Sequence, residues 1–200
     1  MESKVDRRKI RTKNLLRRAL IELIEENGVE AITVSDITKK ADINRGTFYL
    51  HYRDVSDLLE QNKHEILEGL KDIIVNLNLP DLLVYASKDE PYPTIIKVFE
   101  YFTVHTEFFK VILGPKGDPS YSDQIKTFMK NQLMNKIPEW QPEESKIIVP
   151  PGYLIAFITS ANLGILQHWF ETGLKESPEE LALIITRMIS KGVLNTTGLL

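Results

Sequence analysis

Residues 33–58 read TVSDITKKADINRGTFYLHYRDVSDL, two short helices joined by a tight turn and followed at once by the start of a third. Thr33 with Asp36 three residues on is a capping-box-like start. Ile37 and Ala41, four apart, give the first short helix one apolar stripe. Asp42-Ile43-Asn44 is the break, with Asn44 placed to cap a second helix. In that second helix Phe48 and Tyr52 are enough for packing. The rest is Arg45, Gly46, Thr47, Tyr49, Leu50 and His51. A helix serving only as scaffold carries Glu, Lys and Ala at such places. Arg, Thr, Tyr and His instead supply the donors that phosphates and base edges accept.

Residues 1–18 hold eight basic residues (Lys4, Arg7, Arg8, Lys9, Arg11, Lys13, Arg17, Arg18) and two acidic ones. A helix begins within this run, with Leu15, Leu16, Ala19, Leu20, Leu23 and Ile24 expected on one buried face and Gly28 ending it. Positive charge at a helix N-terminus opposes the macrodipole. A local rule broken so plainly points to a functional cause, here neutralisation of phosphates. The charge balance agrees. Residues 1–55 carry twelve Lys/Arg and nine Asp/Glu, a net +3, against −3 for the whole chain. A basic end on an acidic body fits a chain of which only one part meets a polyanion.

These residues resemble the TetR family of bacterial transcriptional regulators. The resemblance is carried by Glu26-Asn27-Gly28, Thr33-Val34, Ile37, Ala41, Gly46-Thr47-Phe48-Tyr49, His51-Tyr52 and Asp57-Leu58-Leu59. It implies a three-helix DNA-binding domain over 1–54 and a larger helical effector-binding and dimerisation domain over 55–200, all-α, with about nine helices. It also implies that Arg45, Gly46, Thr47, Tyr49, Leu50 and His51 face the major groove or its phosphates, that Thr33 holds a backbone phosphate, and that Arg8 and Arg11 meet further phosphates. One departure stands out. The family's usual phosphate-binding Lys is replaced here by Val55, which leaves Arg53 as the nearest substitute.

Beyond Asp54 a long helix runs from about Val55 through Ile74. Pro80 to Pro93 reads as a loop or frayed end, and Pro93 to Leu113 as one apolar helix. Gly114-Pro115-Lys116-Gly117-Asp118-Pro119 stops it, a turn rather than a phosphate loop, since no Gly-Lys-Ser/Thr follows and no strand precedes. Another helix spans Tyr121 to Ile137, and Pro138, Pro142, Pro150 and Pro151 frame a loop with room for one helical turn. The last two helices, Gly152 to Thr172 and Pro178 to about Leu194, are the most apolar. A helix apolar all round must be buried on every side, and a second copy of the chain is the economical cover. Leu154, Ile158, Leu163, Leu166, Leu181, Ile184, Ile185 and Met188 are the expected dimer residues.

The body also resembles one subgroup of the family, through His105, Phe108-Phe109, Val111, Leu113-Gly114, Asp118-Pro119, Leu163-Gly164, Trp169, Gly173 and Ser177-Pro178-Glu179-Glu180. A small-molecule pocket is expected from aromatic walls with a few polar groups, namely Phe99, Phe102, His105, Phe109, Phe128, Tyr153, Phe157, Asn162 and Trp169. The same aromatics at helical spacing could instead be plain core.

Several functions have no support in the residues. The four histidines stand at no metal-ligand spacing, and the chain contains no cysteine, so no metal site and no cofactor are expected. No Gly-x-Ser-x-Gly elbow is present, and an enzyme is not expected. No run reaches the roughly 20 apolar residues of a membrane helix, and no signal peptide is readable, so the cytoplasm is the expected compartment. The expected function is a homodimeric, ligand-responsive repressor on a palindromic double-stranded operator, its effector unidentified. A constitutive DNA-binding regulator without effector, and a helical small-molecule binder with a vestigial head, are the alternatives.

Overall fold

The computed structural model describes residues 4–140 and 149–196. Among them are ten α-helices and one 3-10 turn: α1 Lys4–Asn27, the turn Val29–Ala31, α2 Val34–Lys40, α3 Arg45–Tyr49, α4 Val55–Ile74, α5 Leu79–Ser87, α6 Pro93–Val104, α7 Thr106–Ile112, α8 Pro119–Trp140, α9 Pro151–Glu171 and α10 Pro178–Thr196. No strand occurs among the described residues. The all-α reading holds, and the helix count is slightly above the nine expected.

The chain forms two compact units. One comprises residues up to 66 together with 106–121, the other 67–105 together with 122–200. In the first unit Leu16, Leu20 and Ile24 of α1, Ile37 of α2, Phe48 of α3 and Leu58 and Ile66 of α4 are buried, with Phe108, Phe109, Ile112 and Tyr121 from the later segment. The Thr33–Asp36 capping box forms as expected. α1 and α2 are clamped by Lys40, whose ammonium reaches Glu26 at 2.6 Å and Glu22 at 3.4 Å. α1 and α4 are joined by Arg17, which donates to Asn62 and Glu65. Leu15 departs from the expected stripe and is exposed; on that helix Arg17 and Lys13 turn toward α4 instead.

The Gly114–Asp118 turn also belongs to this unit. Lys116 donates to the carbonyls of Glu25 and Glu26 at 3.0 and 2.9 Å, and its own carbonyl accepts from Val29 at 3.1 Å. An ammonium over the last carbonyls of α1 satisfies orphan acceptors at the negative end of the helix. Gly117 is required there: a Cβ would sit 2.1 Å from the Ile112 carbonyl oxygen.

In the second unit α10 packs against α5 and α6. Its core contains Leu82, Tyr92, Ile95, Phe99, Phe102, Ile155, Leu163, Leu166, Trp169, Leu181, Ala182 and Ile185. The chain departs from three further sequence expectations. The supposed loop after Pro80 is helix α5, because Asn78 caps it by accepting from Asp81 at 3.0 Å and Pro80 falls in the first turn, where a missing N–H costs nothing. The single helix expected from Pro93 to Leu113 is two, broken at His105 (φ −105°, ψ 23°), with no Gly or Pro to announce it. Pro138 lies inside α8, and the helical turn expected between Pro142 and Pro150 falls on 141–148, outside the described residues.

Candidate nucleic-acid interface

α3 is five residues long and anchored at both ends. The Asn44 side chain accepts from the Gly46 N–H at 2.8 Å, and Phe48 is wholly buried beneath it. That burial fixes which side chains turn outward. Arg45, Tyr49 and Leu50 are exposed, Leu50 to 82%, while Thr47 and His51 are half-buried. Arg45 and Tyr49 are coupled: Nη2 donates to the Tyr49 hydroxyl at 3.1 Å, and the guanidinium carbon lies 5.7 Å from the ring centroid. Burial holds the His51 imidazole below its ordinary pKa, and the positive charges of Lys13 and Lys9 push the same way. A neutral imidazole presents one donor and one acceptor, a different contact from a second cation.

Thr33 is placed differently from its expected phosphate role. Its N–H donates to an Asp36 carboxylate oxygen at 3.0 Å and its hydroxyl to the same oxygen at 2.6 Å. Both donors are therefore committed to the cap, and these bonds hold the Asp36 carboxyl below its ordinary pKa. Arg53 is exposed, and its Nη2 lies 3.4 Å from Asp57. Asp57 in turn accepts from the Arg53 N–H at 2.9 Å, so the residue that stands in for the missing Lys is locally tethered. Val55 is half-buried at the start of α4.

On α1, Arg8 and Arg11 are exposed and, like Arg7 and Lys9, take part in no ion pair among the described residues. Lys9 is the residue that sequence reasoning left out of the site. It is exposed on α1, and its positive charge acts on His51 in the same direction as that of Lys13; only its membership of the basic run marks it in the sequence.

Two family descriptions match the chain. Residues 16–61 match the bacterial regulatory proteins of the tetR family, and residues 89–191 match a transcriptional regulator C-terminal region of TetR type. The chain belongs to the TetR family of bacterial transcriptional regulators. The match over residues 16–61 takes in α2 and α3, the helix-turn-helix of this TetR regulator. It is similar to the HTH-type transcriptional regulator YxbF of Bacillus subtilis strain 168, 42% identical over 179 residues, which span 88% of this chain and 44% of that relative. The chain thus spans less than half the length of the curated relative it matches. Among solved structures, a TetR-family regulator from Syntrophomonas wolfei superposes with a TM-score of 0.64 at 19% identity, covering 94% of this chain and 98% of that one. The regulator FadR of Bacillus subtilis, in complex with stearoyl-CoA, gives 0.59 at 16% identity, covering 90% and 98%. At such identities the likeness is one of fold.

The aromatic residues expected to line a pocket are scattered by the TetR regulator's fold. Phe99, Phe102 and Trp169 come together, Phe99 and Trp169 edge to face at 5.3 Å and Phe99 and Phe102 at 6.1 Å. The Trp169 indole N–H donates to the Glu176 carbonyl at 3.0 Å, so this indole is a satisfied core group. Phe109 lies in the other unit, edge to face with Phe108 at 5.6 Å. The His105 and Tyr101 rings meet at a 53° tilt with centroids 4.4 Å apart, and Phe128 is half-buried on α8. Asn162 donates to the Ile158 carbonyl of its own helix at 2.9 Å. Tyr153 and Phe157 do not face the interior at all: they are 75% and 60% exposed.

The expected dimer residues divide in the same way. Leu163, Leu166, Leu181 and Ile185 are buried in the chain's own core, while Leu154 and Ile184 are exposed and Ile158 and Met188 half-buried. The helix turned its most regular leucines inward. Its outward stripe is Tyr153, Phe157, Ser160, Gly164 and His168, at helical spacing and all exposed. Among the described residues no helix is long and apolar enough to cross a membrane.

Proposed function

We propose that this TetR regulator binds a palindromic operator as a homodimer, represses from it, and lets go when its body takes up a small molecule. The DNA-contacting part is residues 1–54, with Arg45, Gly46, Thr47, Tyr49, Leu50 and His51 toward the major groove and Arg8, Lys9 and the locally tethered Arg53 toward phosphates, while Arg11 lies on the outer face of α1. Residues 55–200 dimerise and sense. The observation that carries the dimer is the bare apolar stripe: Tyr153, Leu154 and Phe157 on α9 and Ile184 and Ile189 on α10 are large, apolar and exposed. Large apolar side chains left in solvent favour an interaction site, and an isologous contact covers such a face with itself.

Dimeric readers present recognition helices about 34–36 Å apart, and a ligand in the body changes that spacing through α4, which has residues in both units. Acyl thioesters head the candidate effectors, since a fold neighbour is bound to stearoyl-CoA. The constitutive reading keeps one observation in its favour: Phe99, Phe102 and Trp169 fill space against one another. Mobility shift on the DNA upstream of its own gene, with and without acyl-CoAs of increasing length, tests the proposal. Release by ligand supports a sensor; a complex indifferent to every acyl-CoA and to a broader metabolite panel removes the sensing role and leaves the constitutive regulator.

A further inference from the structure

Arg45 and Tyr49 stand one turn apart on α3, and their coupling has a direction. Phe48 is wholly buried, and the Tyr49 ring meets it edge to face at 5.6 Å and 89°. Tyr49 is therefore held from below by the core of its unit. Its hydroxyl accepts from Arg45 Nη2 at 3.1 Å, and its face lies 5.7 Å from the guanidinium carbon. The backbone of the first turn is pinned by the Asn44 cap on Gly46. An exposed Arg otherwise samples many rotamers, and loses that freedom on binding. Here a rigid aromatic restricts it in advance, and the guanidinium keeps four of its five N–H groups for a partner.

We propose that Tyr49 is a positioning residue for operator recognition: it holds the Arg45 guanidinium so that the pair reads one base pair of each half-site as a unit. This rests on the reading of α3 as the recognition helix, and gives Tyr49 a task separate from any phosphate contact of its own. A planar guanidinium matches the O6 and N7 acceptors of guanine bidentately, and that match depends on its orientation. Loss of the Tyr49 hydroxyl frees the rotation, so discrimination falls before affinity for DNA in general does. A guanine is the base this geometry selects.

The test uses the full chain and a duplex selected by the wild-type protein from a random-sequence library, together with variants of that duplex changed at each half-site position in turn. Arg45→Ala flattens the preference at one position, by roughly 5- to 150-fold for a lost bidentate contact. Tyr49→Phe keeps the ring on Phe48 and reduces preference at that same position by several-fold, on the order of one hydrogen bond. In the Arg45→Ala background, Tyr49→Phe changes the preference no further. A Tyr49→Phe loss that is equal on every duplex and additive with Arg45→Ala makes Tyr49 an independent phosphate contact and overturns the proposal. So does a preference unchanged by Tyr49→Phe. If Arg45→Ala itself weakens all duplexes alike, base reading by Arg45 fails and the positioning role fails with it. The two failures are told apart by the Arg45→Ala result.

Discussion

The sharpest stability test lies at Lys63, a lysine whose side chain is 1% exposed. Its ammonium donates to the Asp118 carboxylate and to Glu60, the latter at 2.6 Å, and lies 5.7 Å from the Tyr121 ring centroid. Stripping the partner from a buried charge costs about 3–5 kcal/mol. Glu60 stays behind in Asp118→Asn, and the Asp118 side chain is itself 19% exposed, so about 2 kcal/mol is the expected loss. The Asn keeps the bond that Asp118 accepts from the Ser120 N–H at 2.9 Å, so the α8 start survives. Lys63→Met replaces the charge by an apolar chain of similar length and costs less, about 1 kcal/mol or under. The double variant Lys63→Met/Asp118→Asn recovers much of the Asp118→Asn loss. In a chain of this size about 2 kcal/mol moves a melting temperature by roughly 4–8 °C, readable by circular dichroism. Strict additivity in this double-mutant cycle refutes the coupling. The pH dependence gives a second check. Burial pushes the Asp118 carboxyl up, but the hydrogen bonds from Lys63 and Ser120 outweigh it and leave the pKa lowered. A lowered carboxylate pKa contributes fully above the unfolded value, about 3.9, and loses its contribution as pH falls through the folded value. The gap between wild type and Asp118→Asn is therefore constant near neutrality and closes only in strong acid.

Other expectations follow from placement. Tyr153→Arg or Phe157→Arg leaves a folded monomer in sedimentation and weakens operator binding, whereas Leu166→Arg, buried in the chain's own core, loses the fold; dimers persisting in both exposed variants move the interface elsewhere. Gly117→Ala drives a Cβ onto the Ile112 carbonyl and lowers stability, while Gly152→Ala, with nothing within 4 Å, does not; equal melting of the two refutes the reading of the turn. Lys9→Ala lowers the salt slope of DNA binding by about one per head, and Arg11→Ala does so by less; the reverse order refutes placement of Lys9 at the DNA.

What sequence could see and what it missed divide by the range of the signal. The helix-turn-helix was legible because its determinants are local: Thr33 with Asp36, Asn44 with Gly46, Phe48 with Tyr52. Helix α5 was missed because Pro80 reads as a breaker unless Asn78 is recognised as its cap. The break at His105 carries no local mark, and it falls where the chain passes from one compact unit to the other. Periodicity found an apolar face on α9 but not which partner it met. Leu163 and Leu166 went to the chain's own core and Tyr153 and Phe157 to solvent, because an almost uncharged helix has two apolar faces and no local rule to choose between them. The sequence offers Trp169 as a pocket wall because the acceptor of its indole N–H, the Glu176 carbonyl, is brought to it only by the chain reversal after Gly173.

The basic run shows how one residue type is sorted by rotation about a helix. Of the twelve Lys/Arg in residues 1–55, Lys13, Arg17, Arg18, Lys40 and Arg53 already hold carboxylates. Lys13 and Arg17, four apart, share the side of α1 that meets Glu65. Lys9 is four residues before Lys13 and falls on nearly the same side, which is why both are felt at His51. Arg11 is two residues from Lys9, and at 3.6 residues per turn it points about 160° away. It lines the outer face of α1 with Arg7, Ile10, Asn14, Leu15 and Arg18. Net charge therefore overstates the phosphate footprint twice, counting cations already paired and cations that face away from α3. Among the described residues, Lys9 is the unpaired member of the run on the side of α1 that bears on His51; Arg8 lies about 100° from Lys9 and about 60° from Arg11, so a phosphate contact from α1 beside α3 is expected from Lys9 first and from Arg8 next.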